Sequence, residues 1–95
     1  MPVQVLYYFQ DGCMGCMEQE PINREVTAHL GVEIEARDAL SRPEEIRTFG
    51  LKVTPTLLVV VDGEVRERFE GVVHAEALEA AIKTWLTHEG EVSVR

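Results

Sequence analysis

The segment that most restricts the fold is Leu57–Val61 (LLVVV), a run of apolar residues followed directly by Asp62-Gly63. A continuous apolar run predicts a buried strand in the middle of a sheet, because both faces of such a strand need cover. Asp-Gly is a strong signal for a tight hairpin, so Val65–Phe69 is predicted to return antiparallel beside this strand. Helices from the rest of the chain are expected to cover the sheet, which indicates an α/β protein.

The first part of the chain predicts a strand, a long helix and a second strand. Val3–Phe9 is rich in β-branched and aromatic residues, as in a largely buried strand. From Cys13 onward, apolar residues recur at helical spacing up to Gly31, which is well placed to end the helix, while Pro21 is expected to kink it. Val32–Ala36 alternates apolar and acidic residues and predicts a strand near a sheet edge. The apolar face of the helix is predicted from Met14, Met17, Ile22, Val26 and Leu30.

Two further helices are predicted, one before and one after the hairpin. Ser41 is a candidate cap for a short helix that has Pro43 in its first turn and Gly50 at its end. Its inner residues are predicted to be Ile46 and Phe49. Ala75–His88 has the pattern of an amphipathic helix. The inner residues of this last helix are predicted to be Leu78, Ala81, Ile82, Trp85 and Leu86.

The length of 95 residues suits a single domain, predicted over residues 1–95 with a core at about 3–88 and a tail at 89–95. The predicted order is strand–helix–strand–helix–strand–strand–helix. The first crossover joins two parallel strands, and the closing hairpin adds two antiparallel ones. The fold class is therefore α/β, with a four-stranded mixed sheet flanked by three helices.

The charge of the chain bears on its partners and location. The net charge of −8 repels phosphate backbones and anionic membrane surfaces, so we expect neither nucleic acid nor a membrane as a partner. The amino terminus has the pattern of a strand rather than of a secretion signal. The longest apolar run is too short to cross a bilayer. We therefore expect a cytoplasmic protein, acting as a monomer.

Cys13 and Cys16 are the only cysteines, and they stand where the first predicted strand gives way to the first helix. Unpaired amides and the positive end of the helix dipole favour a thiolate at Cys13. One helical turn separates the two sulfurs, but their disulfide would close a loop too small to restrict the unfolded chain much. We therefore predict a redox pair, in which Cys13 attacks and the more buried Cys16 resolves. Gly15 leaves the approach open, and Met14 offers an apolar contact to a substrate.

Inert thiols and metal ligands are the other interpretations of this pair. A zinc site needs about four ligands, whereas the chain has no second cysteine pair and no His-x-x-x-His spacing. No metal site and no bound cofactor are therefore predicted for one chain. A dimer that joins two cysteine pairs could still supply four thiolates to a metal or an iron–sulfur cluster.

The residues resemble those of the thioredoxin-fold family along most of the chain. Besides the Cys-x-x-Cys pair, Pro21 follows the second cysteine by five residues, as the kinking proline of thioredoxins does. The segment 49–58 (FGLKVTPTLL) is similar to the one that leads into the thioredoxin hairpin, and Gly71 matches the glycine before the last helix. The resemblance implies a cis peptide at Thr54-Pro55 beside the cysteines, and a substrate-binding role for Thr54, Pro55 and Gly71.

Several positions depart from the family pattern. Gly12 stands where most thioredoxins have tryptophan, and the dipeptide between the cysteines is Met-Gly. Tyr7 occupies the position of a buried acid that accepts the proton of the resolving thiol. This tyrosine could donate a hydrogen bond near Cys16, but we interpret it as a packing residue. The family's first strand and helix are missing, as in glutaredoxins and the minimal thioredoxin-like proteins of prokaryotes. The residues of a typical glutathione site are not evident after Phe69.

The predicted function is reversible thiol–disulfide exchange between the cysteine pair and protein disulfide substrates. An upstream reductase is the other expected partner, and in the cytoplasm the net direction is expected to be reduction of the substrate. A glutathione-linked, glutaredoxin-like enzyme is one alternative. A non-catalytic thioredoxin-fold module that binds through Pro55 and Gly71 is another, and the metal or iron–sulfur module is a third.

Overall fold

The computed structural model describes the backbone of residues 3–94 and the side chains of residues 3–87. The strands are β1 (Val3–Phe9), β2 (Ile34–Asp38), β3 (Thr56–Val61) and β4 (Glu64–Glu70), and the helices are α1 (Met14–Leu30), α2 (Pro43–Phe49) and α3 (Ala75–Val94). A single turn of 3₁₀ helix, Ala39–Ser41, joins β2 to α2.

The four strands form one mixed sheet in the order β2-β1-β3-β4. β1 is parallel to β2, with Val5 opposite Ile34, and antiparallel to β3, with Leu6 opposite Leu58. β3 and β4 are the antiparallel arms of the hairpin that turns at Asp62-Gly63. The predicted fold class, element order and mixed sheet are therefore confirmed.

The two central strands are buried on both faces, which explains their continuous apolar sequences. Alternate residues of β1 and β3 supply two separate hydrophobic clusters. The cluster on one face contains Val5, Tyr7, Leu57 and Val59 together with Val26 of α1 and Leu78 and Ile82 of α3. The cluster on the other face contains Leu6, Tyr8, Leu58, Val60 and Ala39, with Phe49 of α2 packed against it. Both faces of the sheet are thus covered, and α1 is held against the face that contains Tyr7.

The region between β2 and α2 differs from the prediction in two details. β2 runs from Ile34 to Asp38 rather than from Val32 to Ala36. Ser41 does not cap α2, because its hydroxyl donates to the Asp38 carboxylate at 3.3 Å, and Asp38 caps the 3₁₀ turn instead. Arg42 is the N-cap residue of α2, without a side-chain capping bond, and Pro43 is the first residue of the helix.

The inner face of α1 agrees with the apolar spacing in part, because Val26 is fully buried and Ile22 and Leu30 pack against the same cluster. Met14 and Met17 are 81% and 69% exposed. The buried residues of the helix are Cys16, Gln19, Asn23 and Val26. They follow one another at intervals of three and four, so they also share one helical face. The prediction was therefore wrong for Met14 and Met17, and the polar residues Gln19 and Asn23 lie on the buried face. α1 continues through Pro21 as one helix.

The last helix extends further than expected. α3 continues from Ala75 to Val94, past the predicted end at His88 and along most of the predicted tail. Leu78 and Ile82 are fully buried, whereas Leu86, predicted to face inward, is 38% exposed. Side chains after residue 87 lie outside the described part of the chain. Among the described residues, no helix is both long enough and apolar enough to span a membrane.

Candidate active site

Cys13 lies in the turn that connects β1 to α1. Its N–H donates to the Gln10 carbonyl at 3.2 Å. Gly12 has a φ of 79°, a left-handed conformation that glycine adopts without steric cost. The helix begins at Met14, so Cys13 is its N-cap residue and Cys16 lies in its first turn. The cysteine pair therefore occupies the strand-to-helix junction, as predicted.

Cys13 and Cys16 are joined as a disulfide, and their Cα atoms are 5.2 Å apart. Cys13 Sγ accepts the Cys16 N–H at 3.1 Å, so the sulfur takes the place of the usual side-chain oxygen at a helix N-cap. After reduction, this N–H and the positive end of the helix dipole favour the Cys13 thiolate over the thiol. Cys13 is partly exposed, whereas Cys16 is only 3% exposed. An incoming sulfur can therefore reach Cys13 more easily than Cys16.

The loop before β3 lies directly beside the reactive sulfur. Cys13 Sγ is 3.4 Å from the carbonyl oxygen of Thr54, and the Thr54-Pro55 peptide bond is cis. The carbonyl of Pro55 in turn accepts the N–H of Gly71 at 2.8 Å. Residues that are distant in the sequence thus meet around the disulfide, which is the arrangement that the family resemblance implied.

Gly15 lets α1 approach this loop closely. A β-carbon added at Gly15 would lie 3.0 Å from Cδ of Pro55 and 3.4 Å from Cγ2 of Val72. Both distances are tight, and a proline ring cannot rotate out of the way as a flexible side chain can. Close packing is therefore the role that the structure shows for Gly15, where the sequence suggested an open approach to the sulfurs.

Two exposed apolar side chains are next in sequence to Cys13 and Thr54, the residues that meet at the disulfide. Met14, the residue after Cys13, is 81% exposed, and Val53, the residue before Thr54, is 47% exposed. Next to Thr54 there is also an open cavity of about 130 Å³. It is lined by Gln10, Ala39, Leu40, Ile46, Leu51, Lys52, Val53 and Thr54. These surfaces give the surroundings of Cys13 an apolar character that suits contact with a polypeptide.

Comparison with known proteins agrees with this geometry. A model of the thioredoxin domain matches residues 1–87. The chain belongs to the thioredoxin-domain family. Together with the Cys13–Cys16 pair, this membership supports the general class of thiol–disulfide oxidoreductase. No curated protein sequence gives a significant match to the chain.

Solved thioredoxin structures resemble this domain along most of its length. A malaria-parasite thioredoxin-2, described as a component of the parasite's protein secretion machinery, is 25% identical with a TM-score of 0.80, and the match covers 86% of this chain and 82% of that one. Desulfothioredoxin from Desulfovibrio vulgaris Hildenborough is 25% identical with a TM-score of 0.78, over 88% of this chain and 82% of that one. A mutant thioredoxin from Halobacterium salinarum NRC-1 is 23% identical with a TM-score of 0.80, over 86% and 73% of the respective chains, and shows the fold alone.

Tyr7 of this thioredoxin domain does more than fill space. Its ring packs in the core beside Phe9, with ring centroids 5.8 Å apart. Its hydroxyl also donates to the Cys16 carbonyl at 3.0 Å. Burial and the nearby carboxylate of Glu20 raise the pKa of Tyr7 to about 12. The interpretation as a packing residue was therefore incomplete, because the tyrosine also holds the turn of α1 that carries the second cysteine.

The raised pKa values of two buried tyrosines predict a loss of stability in alkali. Tyr7 and Tyr8 both have a pKa raised from 10.0 to about 12, first by burial and then by the carboxylates of Glu20 and Glu45 respectively. Between these values the unfolded chain releases phenolic protons that the folded chain retains, so the free energy of unfolding should fall as pH rises from about 10 to 12. We expect the melting temperature to drop over this range. The drop should be smaller in a Tyr7→Phe, Tyr8→Phe double variant, and an equal drop in both proteins would contradict this account.

Gln19 is a site residue that the sequence analysis missed. Its side chain is fully buried and bonds to both the N–H and the carbonyl of Val73, in the loop that follows Gly71. A polar residue one turn after the second cysteine, followed at i+4 by Asn23, was the available signal. The periodicity of apolar residues concealed it, because that criterion takes no account of polar residues.

Among the described residues, one group of side chains that could hold a metal ion lies away from the cysteines. Glu25 and His29, in the last turns of α1, converge with Glu79 of α3, and their ligand atoms all lie within 4.8 Å of one another. His29 Nδ1 is 2.8 Å from a Glu79 carboxylate oxygen. These groups are at the opposite end of α1 from Cys13, so they take no part in the chemistry of the disulfide.

Proposed function

We propose that this protein reduces disulfide bonds in protein substrates, in the cytoplasm, with electrons supplied by an upstream reductase. The observation that carries the proposal is the asymmetry of the disulfide. One sulfur, on Cys13, is accessible and caps a helix, and its partner Cys16 is buried one turn later. That arrangement suits a first attack by one thiol and a second attack by the other.

The reaction consists of two exchange steps. In the reduced protein, the Cys13 thiolate attacks one sulfur of the substrate disulfide, a mixed disulfide forms and the other substrate sulfur leaves as a thiolate. The Cys16 thiol then loses its proton and attacks Cys13 Sγ, which releases the second substrate thiolate and forms the Cys13–Cys16 bond. Two electrons pass from the dithiol to the substrate, and the upstream reductase returns two electrons to the protein.

The proton of Cys16 needs an acceptor other than Tyr7. The phenol contacts the carbonyl of Cys16, but its pKa of about 12 keeps it protonated at neutral pH, so it cannot act as a base. The first substrate thiolate to leave is formed next to the pair, and as a thiolate it can accept a proton. We therefore assign the proton to this leaving thiolate.

We assign substrate binding to the edge formed by Met14, Gly15, Thr54, Pro55 and Gly71. Thr54 places a backbone carbonyl 3.4 Å from the attacking sulfur, where an extended substrate segment can pair with it. Met14 adds an exposed apolar side chain next to Cys13. A disulfide-bonded polypeptide offers both an extended backbone and apolar side chains, whereas a small thiol such as glutathione offers little of either. We therefore propose proteins as the substrates, and we propose that the enzyme acts as a monomer.

The function can be tested by reduction of insulin with two alternative electron sources. We expect catalysed reduction with NADPH and a thioredoxin reductase, and little above the uncatalysed rate with glutathione and glutathione reductase. Efficient use of glutathione would instead favour the glutaredoxin-like alternative. No catalysis with either source, nor with dithiothreitol, would contradict the proposed function.

A further inference from the structure

We propose that Gln19 is a positioning residue, which fixes the loop after Gly71 against the disulfide and so determines how tightly protein substrates bind. This inference rests on the proposed function, because it concerns the substrate-binding edge of the same site. Gln19 is distant from that loop in the sequence, and the hydrogen bonds of its side chain go to Val73 and Asn23. Its effect is expected on substrate binding rather than on the chemistry of the thiols.

The contacts of Gln19 satisfy both backbone groups of one residue. Gln19 Oε1 accepts the N–H of Val73 at 2.9 Å, and Gln19 Nε2 donates to the Val73 carbonyl at 3.0 Å. Nε2 also donates to Oδ1 of Asn23 at 3.0 Å, which fixes the orientation of the amide. The Gln19 side chain is 0% exposed. The amide thus pairs with Val73 as a neighbouring strand would.

Val73 needs this partner because it lies outside the sheet and is nevertheless buried. It follows β4 and precedes α3, in a segment with no regular structure, and it is only 7% exposed. Buried backbone groups without partners are costly, and nearly all of them are paired in folded proteins. The loop can therefore adopt this buried path only while a side chain of α1 supplies both a donor and an acceptor.

The same loop forms one wall of the disulfide site. Gly71 donates its N–H to the Pro55 carbonyl at 2.8 Å, and a methyl group of Val72 lies 3.4 Å from the position of a β-carbon on Gly15. Three segments thus surround the disulfide, namely the start of α1, the residues around Pro55 and the loop 71–73. Gln19 connects α1, which Cys13 caps, to the loop 71–73 through its hydrogen bonds to Val73.

The first test replaces Gln19 with methionine, which has a similar length but no polar group to pair with Val73. We expect the KM for insulin to rise about tenfold, as the loss of contacts of this strength would produce. The reaction of the reduced variant with a small aromatic disulfide should stay within about twofold of the wild type, because it needs no substrate-binding loop. Gln4→Met, at an exposed glutamine of β1, is the matched control and should change neither value.

The second test uses Gln19→Glu, which has nearly the same shape and can be switched by pH. A protonated carboxyl can still give one donor and one acceptor to Val73, whereas a carboxylate can only accept. Neither form supplies the second proton that the amide donates to Asn23. Burial raises the pKa of such a carboxyl, so the ratio of the KM values of variant and wild type should be lowest at about pH 5.5 and rise with pH. A purely structural weakening would show instead as equal losses with insulin and with the small disulfide.

Amide hydrogen exchange at Val73 provides a readout that does not depend on activity. We expect the Val73 amide to exchange at least about tenfold faster in Gln19→Met than in the wild type, while the amides of β3 remain protected. Faster exchange with an unchanged KM for insulin would overturn the proposed role in binding, and unchanged exchange would overturn the contact itself. If the wild type does not reduce insulin, the proposed function fails, whereas the exchange result still decides whether Gln19 holds the loop.

Discussion

Replacing Cys13 with serine is expected to lower the rate of insulin reduction by about a thousandfold or more, to the uncatalysed level. A serine hydroxyl is not ionised at neutral pH and cannot form a mixed disulfide, so the first exchange step is lost. The measurement is the initial rate of insulin reduction with dithiothreitol as the electron source. The fold should be retained, because serine is itself a favoured N-cap residue and can accept the Cys16 N–H.

Cys16→Ser is the matched variant that separates the roles of the two cysteines. Cys13 can still attack in this variant, but no resolving thiol remains, so a mixed disulfide between Cys13 and the substrate should accumulate. Mass spectrometry after acid quenching detects this species and identifies the cysteine involved. The assignment of roles would be wrong if the Cys13→Ser variant formed the stable mixed disulfide and Cys16→Ser did not.

Leu78→Ala is expected to produce the largest loss of stability among the changes considered. Leu78 is 0% exposed and lies in the cluster that joins α3 to the sheet face containing Tyr7. Truncation of a buried leucine leaves a cavity and costs about 3 kcal/mol, within a range of roughly 2–5. The total stability of a domain of this size is only about 5–15 kcal/mol. Unfolding by urea, followed by circular dichroism, measures the change.

Leu86→Ala is the control for this prediction, because it makes the same chemical change in the same helix. Leu86 is 38% exposed, so truncation there should cost less than about 1 kcal/mol. Equal losses at the two positions would contradict the packing of α3 described above.

Much of the fold could be predicted because its boundaries depend on local signals. β1 has the predicted bounds, Val3–Phe9. α1 ends before Gly31, which has a left-handed φ of 68° and donates its N–H to Thr27. The hairpin turns at Asp62-Gly63, where both residues have positive φ. Each signal acts on its immediate neighbours, so a single sequence is enough to detect it.

The buried polar residues of α1 could not be predicted because they depend on a partner distant in the chain. Hydrophobic spacing correctly favoured Val26, but it also favoured Met14 and Met17 and missed Gln19 and Asn23, which are buried. Burial of Gln19 is favourable only because the backbone of Val73 meets it at hydrogen-bonding distance. No local pattern in the sequence of α1 indicates that a loop after β4 will be there.

In the candidate site, too, local features could be predicted from the sequence and contacts across the fold could not. The strand-to-helix position and the spacing of Cys13 and Cys16 follow from local sequence, and these predicted the redox pair. The proximity of Thr54 to Cys13 was predicted only from the family resemblance, because the pattern of residues around Thr54 does not specify a contact across the fold. The hydrogen bond from Tyr7 to Cys16 was the less favoured interpretation of this residue, because strand tyrosines are more often simple packing residues.

The central claim is that Cys13 and Cys16 form a reversible redox couple, and a redox titration tests it most directly. The protein is equilibrated in dithiothreitol buffers of graded ratio, the free thiols are alkylated, and the mass of the intact chain is measured. We predict a single reversible two-electron transition between a dithiol and an intramolecular disulfide, near the potential of about −270 mV known for thioredoxin. If both cysteines are alkylated at every buffer ratio, no intramolecular disulfide forms and the account is contradicted.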